Sequence, residues 1–488
     1  EVDVVPGLPS WTIVGLASNA VKEARERVSA ALANSGFDVP SRRVTVNLSP
    51  ADVRKDGTSF DLPIALALLA ATGAIDAATI QGLVVAGELG LDGSIRPIRG
   101  TLSLACAAAR AKATLLIPQA NVAEAMLAGS RGIAAAVTLS ALVAELRAGG
   151  PALVDRDAAR RTDDSTCADA PDFADVVGQA AAKRALEIAA AGGHNVLMMG
   201  PPGTGKTMLA RRLSGILPSL TEEELLEVVA IHSVGGLVIP GTIPSRTPPF
   251  RAPHHTISLA GLIGGGPGPR PGEVSLAHRG VLFLDELLEL PRHVLDAMRQ
   301  PLEDGRVVIA RAAHAVAFPA RFQLIAAANP CKCGHAANND GRCQCSAADI
   351  ERYRSRLSGP LADRIDLHVH VGTVEIAALG SAPNEEPSTA IRKRVVAARE
   401  RQRARYANLP GVRTNADIAG RWLLANGCVS GDAHAEIADA ARKLGMSARG
   451  FHRALRVART IAELDGGSGV GRSAMAEGLH YRCLVTAR

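Results

Sequence analysis

The stretch with the clearest chemical potential is GPPGTGKT, at positions 200–207. Its glycines let backbone N–H groups curve around an anion, and a helix that begins near Lys206 would point its positive end at the same place. In such a loop the lysine reaches the outer phosphates of a nucleotide, and the hydroxyl of Thr207 binds Mg²⁺. We therefore predict a site for ATP and Mg²⁺ formed by Gly200, Pro201, Pro202, Gly203, Thr204, Gly205, Lys206 and Thr207.

A second stretch, VLFLDE at 281–286, has four apolar residues followed by two acids. This is the pattern of a buried parallel strand that ends at a site. We expect Asp285 to hold Mg²⁺ through water, and Glu286 to orient and deprotonate the water that attacks the γ-phosphate. A buried strand with solvated acids at its end is the alternative, but the phosphate-binding loop upstream favours the catalytic interpretation.

Four of the eight cysteines form the pattern CxC…CxC within one short segment: Cys331, Cys333, Cys343 and Cys345. Four thiolates can surround one tetrahedral Zn²⁺ at about 2.3 Å each. Free thiols or redox pairs remain the alternative, and His335 is a further candidate ligand. A structural zinc ion would stiffen a polar loop that has little apolar content of its own.

The two phosphate-site motifs require a parallel α/β framework that brings them to one edge of a sheet. The hydrophobic patterns predict helices over 180–191 and from Lys206, and strands over 195–199, 281–284 and 323–328. We assign these elements to a nucleotide-binding domain over residues 173–372.

Two regions flank this domain. Before it, β-like runs alternate with Ala-rich helical patterns, which predicts a compact α/β domain over 1–148. The polar stretches at 149–172 and 373–388 are interpreted as a linker and a hinge. The final region, 389–488, is almost entirely helical in pattern.

Composition restricts the class of protein. A chain of 488 residues, 47% of them hydrophobic, has room for two to four domains with sizeable cores. Its longest uncharged apolar stretch, 62–75, is too short to span a bilayer. No signal peptide is visible, so we expect a cytoplasmic protein that does not contact membranes.

Charge is unevenly distributed along the chain. Residues 391–488 carry 18 Lys and Arg against 8 Asp and Glu, a balance of +10, whereas the whole chain has a net charge of +6. A basic terminal region of this kind favours a polyanionic partner such as nucleic acid. A solvated, Arg-rich helix surface would account for the charge equally well.

Three further residues resemble functional positions of AAA+ ATPases. Asn329 follows the run QLIAAA, where these proteins place a polar sensor of the γ-phosphate. Arg364 in LADRIDL resembles their arginine finger, and Arg449 in MSARGFHRALRVAR resembles the lid arginine known as sensor 2. A finger acts on the nucleotide of a neighbouring subunit, so the resemblance implies a ring. Either arginine alone could instead form a surface salt bridge.

The chain as a whole resembles the ComM/YifB family of bacterial, magnesium-chelatase-like AAA+ ATPases. The resemblance is carried by GLPSWTIVGLA, VTVNLSPADVRKDGTSFDLPIAL, FRAPHHTISLAGLIGGG, ANPCKCGH and SARGFHRALRVARTIA. It implies an α/β protein with an N-terminal domain of the Lon-protease (ribosomal-S5) type, a central P-loop AAA+ domain and a C-terminal helical lid. It also implies a homo-hexamer that acts on branched or single-stranded DNA as a branch-migration helicase, in recombination or natural transformation. A protein-remodelling ATPase that uses the first domain as an adaptor platform, or a magnesium-chelatase subunit, would be the alternatives.

The Lon-like domain raises the question of peptidase activity. In KDGTSFDLPIA, Ser59 stands at the nucleophile's position, but the position of the family's lysine is occupied by Leu102. The sequence has no lysine between Lys55 and Lys112. A serine without a base is a poor nucleophile, so we expect Ser59 to be structural.

A β-hairpin is predicted over 306–320, just before the sensor strand. The resemblance implies that this hairpin reaches into the pore of the ring, where Arg306 and Arg311 would contact DNA phosphates without reading sequence. Packing of a structural hairpin on the neighbouring subunit would be the alternative.

His254 and His255 lie in a segment rich in Pro and Gly, between the two phosphate-site motifs. Two histidines could begin a metal site, but no adjacent cysteine or acid completes a set of ligands. We therefore expect a structural or inter-subunit role for both.

Overall fold

The computed structural model describes residues 1–129, 132–155, 171–266, 269–310, 315–336, 342–374, 385–426, 428–429, 439, 441–443 and 446–486. Most of the expected linker and of the expected hinge lies outside these residues. The chain forms two compact units, Glu1–Ser165 with Glu222–Ser245, and Thr166–Thr221 with Arg246–Arg488.

The first unit is a mixed α/β structure with two three-stranded sheets. One sheet has the order β1-β3-β2, the other is parallel with the order β4-β7-β8, and β5 and β6 form a short antiparallel pair. The strands are β1 Val2–Val5, β2 Ser10–Val14, β3 Arg43–Asn47, β4 Leu83–Val85, β5 Glu88–Leu89, β6 Ile95–Arg96, β7 Thr114–Pro118 and β8 Ile133–Ala136. The helices are α1 Asn19–Lys22, α2 Ala24–Asn34, α3 Asp61–Ala71, α4 Thr101–Ala111, α5 Val122–Met126 and α6 Leu139–Arg147.

The second unit is built on a five-stranded parallel sheet in the order β10-β13-β16-β9-β17. Two antiparallel pairs, β11-β12 and β14-β15, lie outside this sheet. The strands are β9 Val196–Met199, β10 Phe250–Arg251, β11 Gly264–Gly265, β12 Arg270–Pro271, β13 Val281–Leu284, β14 Arg306–Ala310, β15 Ala315–Pro319, β16 Gln323–Ala328 and β17 Leu367–His370. The predicted strands 281–284 and 323–328 are confirmed as β13 and β16.

Helices cover both faces of the sheet. In chain order after α6, the helices are α7 Ala180–Gly192, α8 Lys206–Ile216, α9 Glu222–Gly235, α10 Leu259–Ile263, α11 Glu273–Leu276, α12 Arg292–Ala297, α13 Arg299–Asp304, α14 Ala347–Arg354, α15 Gly359–Ala362, α16 Ser388–Arg405, α17 Gly420–Ala425, α18 Ala448–Leu464 and α19 Arg472–Thr486. All of them except α9 belong to the second unit. Because side chains alternate along a strand, Val281 and Phe283 enter one core while Leu282 and Leu284 enter the other. Burial on both faces explains why β13 is wholly apolar.

The region between α8 and β10 belongs to the first unit, although the sequence places it inside the nucleotide-binding domain. Helix α9 packs on α4 there. The backbone N–H of Gly100 donates to the hydroxyl of Ser233 at 2.7 Å, and that hydroxyl donates to the carboxylate of Glu124. These contacts join segments that are more than 100 residues apart in the sequence. Local sequence patterns cannot predict contacts over such a separation.

The C-terminal region is helical, as expected, and shares a core with the sheet. Val395 of α16 and Val457 and Ile461 of α18 are buried in the same cluster as Val196 and Phe283. Among the described residues, no helix is both long enough and apolar enough to cross a membrane.

The predicted hairpin over 306–320 is confirmed by the antiparallel pairing of β14 with β15. Arg306 begins β14 with its side chain exposed. Arg311 lies outside the described residues.

Candidate nucleotide-binding site

The motif residues meet at the edge formed by the carboxyl ends of three neighbouring parallel strands. The glycine-rich loop follows β9, Asp285 and Glu286 follow β13, and Asn329 follows β16. Open parallel sheets bind ligands in the crevice at this edge. Two contacts described below, Lys206–Asn329 and Thr207–Asp285, tie the end of the loop and the start of α8 to the residues that follow β16 and β13.

The glycines of the loop are required by close approach and by backbone conformation. A Cβ on Gly200 would lie 2.1 Å from the carbonyl oxygen of Val371, which is too close for any side chain. Gly203 and Gly205 have φ angles of +80° and +85°, which L side chains rarely adopt. Helix α8 begins directly after Gly205, so its unpaired N–H groups face the loop.

Lys206 lies beneath the loop with its side chain largely buried. Its Nζ donates hydrogen bonds to the carbonyl oxygens of Gly200 and Pro201, each at 2.7 Å, and to Oδ1 of Asn329 at 3.3 Å. Burial lowers the pKa of Lys206, while the negative charges of Asp285 and Glu286 act in the opposite direction. The predicted lysine and the predicted sensor are therefore in direct contact.

Thr207 and Asp285, the two predicted Mg²⁺ ligands, contact each other. The hydroxyl of Thr207 donates to Oδ2 of Asp285 at 2.5 Å, and Oδ1 of the same carboxylate accepts from the backbone N–H of Glu286 at 2.9 Å. A hydroxyl beside a carboxylate offers the oxygen ligands that Mg²⁺ prefers.

Glu286 stands at the end of β13 in a left-handed conformation, with φ of +49°. Its carboxylate is about half exposed, and Oε2 lies 2.9 Å from Nδ1 of His255. We expected a structural or inter-subunit role for His255, but the structure brings it to the acid predicted to activate water.

Gln179 also belongs to the site and was missed by sequence reasoning. It precedes α7, and its side-chain amide donates to the carbonyl oxygens of Gly372 at 2.7 Å and of Thr204 at 3.3 Å. It joins the loop to the chain that leaves β17. A single glutamine before an Ala-rich helix carries no sequence signal for this role.

Arg364 lies at the opposite edge of the sheet from the loop. It precedes β17, at the amino end of the parallel strands, and its carbonyl oxygen accepts from the side chain of Asn195 at 2.9 Å. Its guanidinium group donates to the carbonyl oxygen of Pro360 at 2.6 Å and forms an ion pair with Glu303. The structure therefore does not bring Arg364 to the site of its own chain.

Arg449 is exposed on the first turn of α18. One turn later, Arg453 forms an ion pair at 3.0 Å with Asp366, which is buried just before β17. Burial alone would raise the pKa of Asp366, but His194 and Arg453 beside it hold that pKa well below its usual range. Among the described contacts, it is Arg453 and not Arg449 that ties this part of α18 to the sheet.

Three arginines of α16 make structural contacts, one with α7 and two with α18 of the same C-terminal region. Arg399 donates to the carbonyl oxygen of Ala190 through Nε at 2.9 Å and Nη2 at 2.7 Å. Arg401 and Arg405 donate to the backbone and the carboxylate of Glu463, which is fully buried. Part of the basic charge in this region therefore has a structural use, which the charge count could not reveal.

The four clustered cysteines converge on one point. Their Sγ atoms all lie within 4.8 Å of one another. Individual separations are 3.3 Å for Cys331–Cys333, 3.6 Å for Cys333–Cys343 and 3.9 Å for Cys331–Cys343. Thiolates around a tetrahedral Zn²⁺ would lie about 3.8 Å apart, so the donor set fits this metal. His335 is not part of the group.

The cysteine loop touches the glycine-rich loop. A Cβ on Gly334 would lie 2.6 Å from Cδ of Pro202, so only glycine fits between Cys333 and His335 at this contact. The hydrogen bond from the backbone of His335, followed by that from Cys331, lowers the pKa of the Cys333 thiol to about 6. Cys331 itself is buried, two residues after Asn329.

In the first unit, Leu102 is buried in α4 and cannot replace the missing basic residue near Ser59. Lys55 is also largely buried, and its Nζ donates to the carbonyl oxygen of Pro50.

Three family models cover almost the whole chain. The model described as magnesium chelatase, subunit ChlI, matches residues 172–379. The model described as subunit ChlI of Mg-chelatase matches residues 1–121, and the one described as magnesium chelatase, subunit ChlI C-terminal, matches residues 385–482.

Two of the relatives described here match over nearly their full length. The uncharacterized protein YifB of Salmonella typhimurium is 43% identical, with 99% of this chain and 94% of that protein covered. The competence protein ComM of Haemophilus influenzae is 42% identical over the same shares of the two chains. The magnesium-chelatase 38 kDa subunit of Rhodobacter capsulatus is 30% identical but covers only 32% of this chain and 50% of its own. The chain therefore belongs to the ComM/YifB family of magnesium-chelatase-like AAA+ proteins.

Proposed function

We propose that the protein is an ATP-hydrolysing AAA+ motor whose reaction takes place at the carboxyl edge of β9, β13 and β16. The observation that carries this proposal is the contact of Lys206 with Asn329 and of Thr207 with Asp285, beside the exposed carboxylate of Glu286. The backbone of the loop and the start of α8 bind the phosphates, and Lys206 neutralises their charge.

Each side chain of the site then has a separate task. Thr207 and Asp285 hold Mg²⁺, which offsets the negative charge of the outer phosphates. Asn329 donates its amide to the γ-phosphate and Glu286 accepts a proton from the attacking water. Because Glu286 is half exposed and Asp285 is engaged by Thr207, only the former is free to act as a base.

The active form is a homo-hexameric ring in which Arg364 serves the nucleotide of the adjacent subunit. Arg364 lies three residues before a strand of four residues whose other end faces the loop, so the strand's length of about 13 Å lies between it and its own site. In the ring, the guanidinium group of Arg364 would leave Glu303 and contact the phosphoryl group that is transferred in the neighbouring subunit. There it would stabilise the negative charge of that phosphoryl group. Arg449 on α18 serves as the lid arginine in this scheme.

The substrate of the motor is DNA, and its activity is the migration of branched junctions during recombination or natural transformation. A relative that is matched over 94% of its length is named a competence protein. The resemblance of the sequence to the ComM/YifB family implies this activity. The exposed Arg306 at the start of the β14-β15 hairpin supplies a phosphate contact that does not depend on base sequence.

Protein remodelling is the second candidate, with the first unit as an adaptor platform. It is favoured by the contacts of Arg399 with α7 and of Arg401 and Arg405 with Glu463 of α18, because arginines engaged within the fold are less available to bind DNA. The first unit has a Lon-protease type of fold without peptidase activity, since Leu102 occupies the position of the base.

A structural zinc ion completes the proposal. Cys331, Cys333, Cys343 and Cys345 hold it, and it stiffens the segment that runs from the sensor Asn329 to the contact of Gly334 with Pro202. The metal site supports the nucleotide site from outside and takes no part in the chemistry.

A synthetic four-way DNA junction tests the function directly. Wild type with ATP and Mg²⁺ should convert a labelled junction into two duplexes, whereas Glu286→Gln should bind the junction without converting it. The variant Arg306→Ala should hydrolyse ATP at the basal rate but convert the junction at least about 10-fold more slowly, since it loses one phosphate contact per subunit. Junctions that stay intact with active wild-type ATPase would favour protein remodelling.

A further inference from the structure

The pairing of strands brings a histidine to the catalytic acid. Strand β10 lies parallel to β13, with Phe250 opposite Val281 and Arg251 opposite Leu282. Past the carboxyl ends of these two strands, Nδ1 of His255 lies 2.9 Å from Oε2 of Glu286.

The ring of His255 is held in place by its neighbour. The rings of His254 and His255 have centroids 4.1 Å apart and are tilted by 33°. Nδ1 of His254 accepts a hydrogen bond from the backbone N–H of Thr256 at 3.4 Å and lies 2.9 Å from the hydroxyl of that residue. Stacking on a ring that is fixed in this way restricts the orientations open to His255.

The acid, in contrast, has few restraints of its own. Its backbone is fixed by the left-handed φ and by the hydrogen bond from its N–H to Asp285, but its side chain is about half exposed. A carboxylate on a flexible stem can point in several directions, and only some of them face a water molecule at the γ-phosphate. The contact with His255 selects among these directions.

We propose that His255 is a positioning residue for Glu286. Its Nδ1–H donates to Oε2, which turns the other oxygen, Oε1, toward the attacking water. The inference rests on the proposed ATPase function and deepens it.

The reaction step assigns a separate role to each oxygen. The water oxygen bonds to the γ-phosphorus, and the bond from that phosphorus to the bridging oxygen of the diphosphate breaks. The proton lost by the water passes to Oε1 of Glu286, while Oε2 keeps its hydrogen bond to His255. The products are ADP and inorganic phosphate. His255 neither gains nor loses a proton in this step.

A surface ion pair without a catalytic role is the competing explanation. The side chains of His255 and Glu286 are 37% and 47% exposed, and exposed pairs contribute little to stability. Loss of His255 should therefore leave the unfolding temperature unchanged under either explanation. The rate of ATP hydrolysis distinguishes the two explanations, because only a positioning role predicts a lower kcat when His255 is lost.

The test compares steady-state ATP hydrolysis by wild type and three variants of the full chain. His255→Ala should lower kcat by about 10-fold or more and leave KM for ATP within about twofold, because only the orientation of the base is lost. His255→Asn should recover most of the rate, since its amide N–H lies close to the position of Nδ1. His293→Ala, at an exposed histidine of α12, is the matched control and should match wild type.

A double-mutant cycle identifies the residue through which His255 acts. In a Glu286→Gln background, adding His255→Ala should lower the residual rate by less than about twofold, because the partner is already gone. An unchanged kcat in His255→Ala, or an equal loss in both backgrounds, would overturn the inference while the ATPase function stands. Absence of ATP hydrolysis by wild type would overturn the function and the inference together.

Discussion

At the level of single residues, Asp285 and Glu286 are neighbours in sequence with different surroundings. Asp285 is engaged by Thr207 and by the backbone of the next residue, whereas Glu286 is half exposed and touches His255. Two carboxylates in different environments can take different tasks, one as a metal ligand and one as a base. The acidic pair in the sequence predicts this division, and the different contacts of the two carboxylates are consistent with it.

Replacement of the base should separate binding from chemistry. In Glu286→Gln, ATP affinity should stay near that of wild type, and turnover should fall at least about 100-fold because the amide cannot accept a proton from water. Equilibrium binding of a fluorescent ATP analogue and a phosphate-release assay measure the two quantities. The exposed Glu351 of α14 provides the control, Glu351→Gln. Substantial turnover in Glu286→Gln would remove the assignment of the base.

The buried histidine of β17 should make stability depend on pH. Burial, with the charge of Arg482 beside it, lowers the pKa of His368 to about 3. An unfolded histidine takes up a proton near pH 6.5, so between these two values the unfolded state binds more protons. The contribution of His368 is present above pH 6.5 and is lost as pH falls, by about 1.4 kcal/mol for each pH unit.

Urea unfolding at pH 7 and at pH 5 measures this effect. His368→Leu should lose less unfolding free energy than wild type over this interval, because it cannot bind the proton. His370→Leu, at the exposed end of the same strand, should behave like wild type. Identical losses in wild type and His368→Leu would show that His368 does not remain neutral in the fold.

Among single residues, Lys206, Thr207 and Asp285 each belong to a motif whose spacing is set by the chemistry, so the sequence predicts that they lie close together, as they do in the structure. It does not predict the contact of His255 with Glu286. That contact depends on the path of the chain after β10, a strand of only two residues in a Pro-rich segment. A strand so short leaves no periodic pattern to recognise.

At the level of elements, apolar runs with clear ends are the ones that the sequence locates accurately. Strands β13 and β16 consist of apolar residues and one glutamine, and both are buried on two faces. The loop at 200–205 is positioned by glycines whose conformations no other residue adopts easily. The contact of the cysteine loop with Pro202 depends on tertiary packing, and sequence patterns carry no information on it.

Removal of two cysteines tests the metal site. Wild type prepared without chelators should contain about one zinc ion per chain, and Cys343→Ser with Cys345→Ser should contain none, because two of four ligands are lost. The double variant should also bind ATP more weakly, since Gly334 no longer supports the loop at Pro202. Cys106→Ser, in α4 of the first unit, is the control. Zinc that remains in the double variant would contradict the assignment.

At the level of the whole molecule, the division of the chain into two units is only partly visible in the sequence. Residues 222–245 follow the loop-bearing helix but belong to the first unit, through α9 and its contacts with α4. The alternation of strands and helices predicts mixed α/β structure with a parallel sheet and a helical C-terminal region, and these features are confirmed. Membership of the family is carried by motifs along the entire chain.

Mixing of subunits tests whether active sites are shared. Arg364→Ala and Lys206→Ala should each be inactive alone, because one lacks the finger and the other lacks the phosphate-binding lysine. In mixed rings, a subunit with intact Lys206 can lie beside one with intact Arg364, so part of the ATPase rate should return. Light scattering confirms assembly. No recovery at any ratio in assembled rings would place the action of Arg364 elsewhere.

The most direct test of a DNA motor is the rate of ATP hydrolysis as four-way-junction DNA is added at increasing salt concentrations. Contacts with phosphates release counterions, so the apparent DNA affinity should fall steeply with salt and depend little on base sequence. We predict that junction DNA raises the ATPase rate several-fold at low salt and that more DNA is needed for the same rate as salt increases. An ATPase rate that is the same with and without every form of DNA, at every salt concentration, would contradict the account.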